Sequence, residues 1–116
     1  MVTAVEALSR SPRIVNVSSP RGSLALSEQW VGPWSLAYGT AKTSLNAVTV
    51  HYSRELRSRG FSVTAVSPGH VATDLTRGNA PLTPEQGARQ IIETALSLDT
   101  RFDGRFIDEN GDELPW

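Results

Sequence analysis

Two side chains in this sequence form a proton-transfer pair by type and spacing: Tyr38 and Lys42, four residues apart in Tyr-Gly-Thr-Ala-Lys. On a helix, residues four apart share a face. A free phenol titrates near ~10, too high for easy exchange at neutral pH. An ammonium beside it favours the phenolate and brings that exchange closer to working range. Lys42 is also the sole lysine, the other ten basic residues being arginines. Arginine supplies charge, but its planar fork suits other partners than a compact ammonium does. Gly39 leaves room for a ligand against the helix, and a serine across a cleft could hydrogen-bond the carbonyl oxygen that the tyrosine protonates. Tyr-x-x-x-Lys also occurs on solvated helix faces, Ser-Ser before Pro is often only a turn, and so is Pro-Gly. Their joint placement is what selects the chemical reading.

That placement follows from the elements. Arg13-Ile-Val-Asn-Val-Ser-Ser19 is a short β-branched run after Pro12 and reads as a buried strand. Residues 20 to 35, with Gly32-Pro33, read as a loop. From about Ser35 to Arg59 the apolar positions Ala37, Ala41, Leu45, Val48, Tyr52 and Leu56 make one stripe of a helix. Arg54, Arg57 and Arg59 suit its C-terminal dipole, and Gly60 its left-handed cap. Phe61-Ser-Val-Thr-Ala-Val-Ser67 alternates as a second strand, stopped by Pro68-Gly69. Thr83, Pro84 and Gln86 spell the capping-box start of a helix running to about Leu98. Gly104-Arg-Phe-Ile107 is a weak third strand.

Strand, helix, strand, helix, strand predicts right-handed βαβ units and a parallel sheet covered by helices. Ligands bind beyond the carboxyl ends of such strands. The Ser18-Ser19-Pro20 turn, the Pro68-Gly69-His70 turn and the start of the long helix all lie on that rim. Three strands leave an unpaired flank, which suggests a missing piece on the N-terminal side.

Composition narrows the classes. A chain of 116 residues holds one small domain, and a net charge of −1 with scattered basic residues gives no reason to expect nucleic acid. No apolar run approaches the ~20 residues of a membrane span, and Met1–Arg10 lacks the apolar core of a signal peptide. Zero cysteines exclude disulfides and thiolate metal sites, and the two histidines lack grouped carboxylates. Cytoplasmic is the default expectation. Asp108, Glu109, Asp112 and Glu113 read as a solvated acidic tail rather than a calcium loop.

Ile14-Val-Asn-Val-Ser-Ser19, Tyr38-Gly-Thr-Ala-Lys42 and Ser67-Pro-Gly-His-Val-Ala-Thr73, in this order, resemble the short-chain dehydrogenases/reductases over essentially the whole chain. The tail, Gly104-Arg-Phe-Ile-Asp to Trp116, is similar to the carbonyl-reductase-like branch. The resemblance implies the C-terminal part of a doubly wound Rossmann-type α/β sheet. It implies hydride transfer between NADP or NAD, NADP favoured, and a small carbonyl compound or secondary alcohol. Tyr38 would be the general acid in reduction. Lys42 would assist it and hold the nicotinamide ribose, and Ser19 would orient the carbonyl, with Ser18 as the fallback. Pro68, Gly69, Val71 and Thr73 would line the nicotinamide end.

Two departures from the family pattern stand out. The Ser19 to Tyr38 interval is longer than in the commonest members, so 20 to 37, with Trp30 and Trp34, reads either as a substrate-side loop or as a cover for the helix face that other members use to dimerise. The glycine fingerprint, the upstream Asn-Asn-Ala-Gly segment and the helix asparagine of the family's proton relay are absent, and so is the residue choosing NAD or NADP. The alternative is therefore a catalytically silent fragment, or a half that needs a complementing N-terminal half. An epimerase or dehydratase on the related extended scaffold fits the Pro-Gly segment and short tail less well.

Overall fold

A computed structural model describes residues 11–30, 32–33, 35–71, 76–97 and 99–116. Three parallel strands, β1 (Arg13–Val17), β2 (Ser62–Val66) and β3 (Phe106–Ile107), lie in that order across one sheet. Two helices join them, α1 (Leu36–Leu56) and α2 (Pro84–Leu96). The predicted order of elements is therefore observed. Residues 20 to 35 hold two short 3-10 turns, Pro20–Gly22 and Ser27–Gln29, and another, Arg57–Arg59, ends α1 against the left-handed Gly60. Thr83 and Gln86 form the capping box of α2.

Side-chain parity shows which face each helix covers. Asn16 donates to the Thr49 hydroxyl of α1 at 3.0 Å, whereas Arg13, of opposite parity, donates from Nε to the Ser97 carbonyl that ends α2 at 2.9 Å. The helices therefore cover opposite faces, which makes the sheet doubly wound. Both crossovers step the same way across the sheet, so they have opposite hands. Only one of them obeys the right-handed expectation.

The residues of β2 are all buried, because strands flank both its edges and helices cover both its faces. Among the described residues the buried hydrophobic side chains are Val63, Ala65, Val66, Phe106 and Ile107. β1 pairs with β2 alone among the described residues, leaving its other edge open. Asp103 extends the β2–β3 ladder before β3 begins: its carboxylate accepts the Val63 N–H at 2.9 Å and pairs with Arg57 at 2.9 Å.

The apolar stripe of α1 does not face the sheet. Asn46, Thr49 and Ser53 are the buried positions, while Ala37, Ala41, Val48 (42% exposed) and Tyr52 (51%) face outward. Hydrogen bonds seat the helix instead. Ser18 donates to Asn46 Oδ1 at 2.6 Å, one turn of helix before the Asn16–Thr49 bond. Polar residues are tolerated inside where partners are fixed, and an apolar period alone could not reveal that face. No helix among the described residues is long and apolar enough to cross a membrane.

Candidate active site

The C-terminal ends of β1 and β2 open onto a cleft of about 630 Å³, within the usual range of small-ligand sites. Ser19, Tyr38, Lys42, Pro68, Gly69 and Val71 all line it. Thr73 lies outside the described residues. Six of the seven site positions singled out from the sequence thus meet in one cavity, although they come from the end of β1, the first turns of α1 and the turn after β2.

Ser35 caps α1, accepting the Tyr38 N–H at 3.3 Å, so the helix starts where its first turn can present Tyr38 to the rim. Tyr38 is 44% exposed, which leaves it reachable by a ligand. The Lys42 ammonium lies 5.7 Å from the centre of the Tyr38 ring and donates one hydrogen bond to the Val17 carbonyl at 2.9 Å. Two of its three hydrogens remain for other acceptors.

The two serines separate cleanly. Ser18 is 3% exposed, and its hydroxyl hydrogen is committed to Asn46. Ser19 caps the Pro20–Gly22 turn by accepting the Arg21 N–H at 3.2 Å, which leaves its own hydrogen to donate into the cleft.

Gly22 fixes the distance between that turn and α1. A Cβ there would stand 2.7 Å from the Lys42 carbonyl carbon and 2.9 Å from Lys42 Cβ and O. Gly22→Ala must therefore push the turn off the helix, an overpacking cost of about 1–3 kcal/mol. Urea unfolding is expected to show that loss, and unchanged stability would mean that the turn yields freely. Gly39 is different: a Cβ there would meet only the Arg21 carbonyl, at an ordinary 3.6 Å, so packing does not require glycine.

Three further cleft residues, Glu109, Arg21 and Trp30, stand outside the catalytic and cofactor set singled out from the sequence. Glu109 belongs to the supposed solvated tail, yet its carboxyl group packs against Gly69, where a Cβ would lie 3.0 Å from Glu109 Cδ. It lies two residues past the end of β3, and the strand-end rule applied to the third strand would have found it. The rest of that tail is turn and surface pairing: Asp108 accepts the Asn110 and Asp112 N–H groups, and Glu113 pairs with Arg105. Arg21 and Trp30 also line the cleft, the guanidinium lying 4.4 Å above the indole ring. Trp30 of the 20 to 37 segment thus lies at the cleft, while Ser23, Leu24 and Ser27 of the same segment border Leu36, Thr40 and Ser44 of α1; Trp34 lies outside the described residues. His70 is exposed on the cleft wall and His51 is exposed on α1. Among the described residues, no group of His, Asp and Glu could hold a metal ion.

The sequence profile of the short chain dehydrogenase family matches residues 1–82. The chain belongs to that family. Among curated relatives, the C-signal protein of Myxococcus xanthus is 33% identical over 104 residues, covering 90% of this chain and 61% of that protein. Carbonyl reductase Sniffer of D. melanogaster superposes with a TM-score of 0.78 at 32% identity, over 90% of this chain and 41% of that one. Landomycin C-6 ketoreductase LanV, solved with bound NADP and rabelomycin, gives 0.67 at 30% identity, over 88% and 41%. The chain therefore spans about six-tenths of the first relative and four-tenths of these two structures.

The donor set in the cleft fits the nicotinamide end of a dinucleotide. Lys42 has hydrogens to spare for ribose hydroxyls, and the Pro68–Val71 backbone borders the space beside it. The 116 residues contain no clustered glycines able to present backbone amides to a pyrophosphate.

Proposed function

We propose that this chain carries the catalytic, nicotinamide-side half of a short-chain oxidoreductase acting between NAD(P)H and a carbonyl compound or secondary alcohol. The observation that carries this reading is the convergence of Ser19, Tyr38 and Lys42 on one cleft with the Pro68–Val71 turn. Ser19 donates its hydroxyl hydrogen to the substrate carbonyl oxygen and holds it beside Tyr38. Tyr38 gives that oxygen its proton as the carbonyl is reduced, and takes it back in the oxidative direction. Lys42 supports the phenolate left behind through its nearby charge, and its remaining hydrogens hold the ribose. Pro68, Gly69 and Val71 border the nicotinamide end, Val71 towards the carboxamide, a place the family resemblance gives Thr73 as well. When bound, NAD(P)H supplies the hydride, and the protein contributes position, proton and electrostatics. NADP is favoured over NAD, in line with the cofactor bound by LanV.

The open edge of β1 and the exposed apolar flank of α1 favour a second reading, in which another polypeptide segment completes the site by pairing along β1. Tight NADPH binding by the chain alone would sink that second reading.

The test of the oxidoreductase reading follows deuterium from NADPH labelled at its hydride position into the carbinol carbon of a panel of ketones. It uses the chain alone and the chain mixed with a separately produced nucleotide-binding half of a relative. Transfer in either sample is the expected result, and none in both overturns the reading.

A further inference from the structure

Of the four carboxylates in the supposed tail, one is set apart from the rest. Asp108 accepts N–H groups of its own turn, Glu113 pairs with Arg105 and Asp112 stands exposed, whereas Glu109 lines the cleft. It is the one acidic side chain among the described residues of that cavity. No hydrogen bond or ion pair engages its carboxylate among the described residues.

The fold fixes where that charge stands. Ser67, which follows β2, donates its N–H to the Ile107 carbonyl of β3 at 2.8 Å, so the chain leaving β3 runs beside the chain leaving β2. The Asp108–Asp112 turn then closes on itself, Asp108 donating to the Asp112 carbonyl at 2.9 Å and Gly111 to the Asp108 carbonyl at 3.1 Å. Glu109 is carried inside that turn, and its carboxyl group reaches Gly69. A Cβ on Gly69 would stand 3.0 Å from Glu109 Cδ, 3.2 Å from Oε1 and 2.6 Å from Leu82 Cδ1. Glu109 and Leu82 thus pack over the α-carbon of Gly69, and the first of them puts a negative charge on the Pro68–Val71 wall.

The nicotinamide reading sets the cofactor's ring against this wall. That ring carries a positive charge when oxidised and none when reduced. The Glu109 carboxylate attracts the oxidised ring and has no such hold on the reduced one. Lys42 and Arg21 add positive charge to the same cleft, but both remain in any Glu109 variant, so the contribution of Glu109 is read by difference.

We infer that Glu109 is a cofactor-binding residue that makes the cleft prefer the oxidised nicotinamide ring to the reduced one, and so favours carbonyl reduction over alcohol oxidation. The inference rests on the oxidoreductase reading for where the ring lies, but its test reads binding and needs no turnover. A tenfold preference makes the bound couple about 30 mV more reducing than the free one.

Nicotinamide mononucleotide and its 1,4-dihydro form are the probes, because they carry the ring and its ribose without the rest of the dinucleotide. Their affinities for the full chain are measured by NMR titration. The oxidised form is expected to bind about tenfold more tightly, between the bulk-water and near-surface values for two opposite charges in contact. Glu109→Gln, which keeps the shape over Gly69 and removes the charge, is expected to abolish that preference while leaving the affinity for the dihydro form close to that of the wild type. Equal affinities in the wild type, or a tighter dihydro form, overturn the inference without need of any variant, and so does binding of neither probe. A preference that persists in folded Glu109→Gln overturns it as well. If the preference depends on Glu109 but no deuterium moves from NADPH to a ketone, the oxidoreductase reading fails and the nicotinamide site stands. If deuterium moves and the preference is missing, the inference alone fails.

Discussion

Tyr38→Phe is expected to lower hydride transfer to a ketone by about a hundredfold or more while leaving NADPH affinity close to that of the wild type. Proton donation by a positioned side chain contributes roughly 10²–10⁴ in rate, and phenylalanine removes the hydroxyl that makes it in this mechanism. The change is conservative elsewhere. Tyr38 is 44% exposed, its backbone N–H rather than its side chain holds the cap on Ser35, and no hydrogen bond from its hydroxyl supports the fold among the described residues. Ser19 keeps its contact with the Arg21 N–H, and Lys42 keeps the Val17 carbonyl, so the remainder of the site survives. The measurement is single-turnover deuterium transfer, run in whichever sample supports it for the wild type. Full activity in the variant would refute the role given to Tyr38, and a loss confined to cofactor binding would make it a binding residue instead.

Phe106→Ala should cost about 3–5 kcal/mol, the usual price of emptying a buried aromatic site. Phe106 is fully buried on β3, pairs in register with Ala65 of β2, and stacks on Trp116 with ring centres 5.7 Å apart and planes at 17°. The tail that brings Trp116 there is itself hydrogen-bonded to β3, Leu114 donating to the Phe106 carbonyl at 2.7 Å. From there the Trp116 carbonyl accepts the Ala25 N–H, reaching the segment that carries Arg21 and Trp30. Removing the ring therefore opens a cavity at the centre of a small core and loosens the support under one wall of the cleft. Against a total stability of about 5–15 kcal/mol for a typical domain, that is a large fraction. Urea unfolding followed by circular dichroism should show the midpoint falling sharply. A loss under about 1 kcal/mol would mean that Phe106 is not packed as described, since surface substitutions stay within that range.

Much of this was legible beforehand because the signals are local. The capping box at Thr83 and Gln86 is a contact among residues three apart, and the spacing of Tyr38 and Lys42 is a property of one helix. The rim itself followed from knowing only that the strands are parallel. Other features were not legible there for a common reason. The apolar stripe Ala37–Leu56 marked a helix correctly, but it did not identify the buried face, because Asn16 and Ser18 on β1 offer partners to Thr49 and Asn46. The alternation of β2 marked a strand but not its burial, which strands on both edges and helices on both faces make complete.

The sequence by itself determined the order of the elements, the helix starts, the parallel sheet and six residues that meet in one cleft. Each of these depends on neighbours a few positions away or on a rule about where parallel strands end. Only the tertiary structure decided that the Ser18 hydroxyl donates to Asn46, far along the chain, while the Ser19 hydroxyl accepts the Arg21 N–H at the cleft. It alone brought Glu109 and Arg21 to the lining of that cavity, and it alone gave the second crossover the opposite hand to the first. Those outcomes depend on which distant groups find each other as the sheet closes, and no local period or spacing encodes that choice.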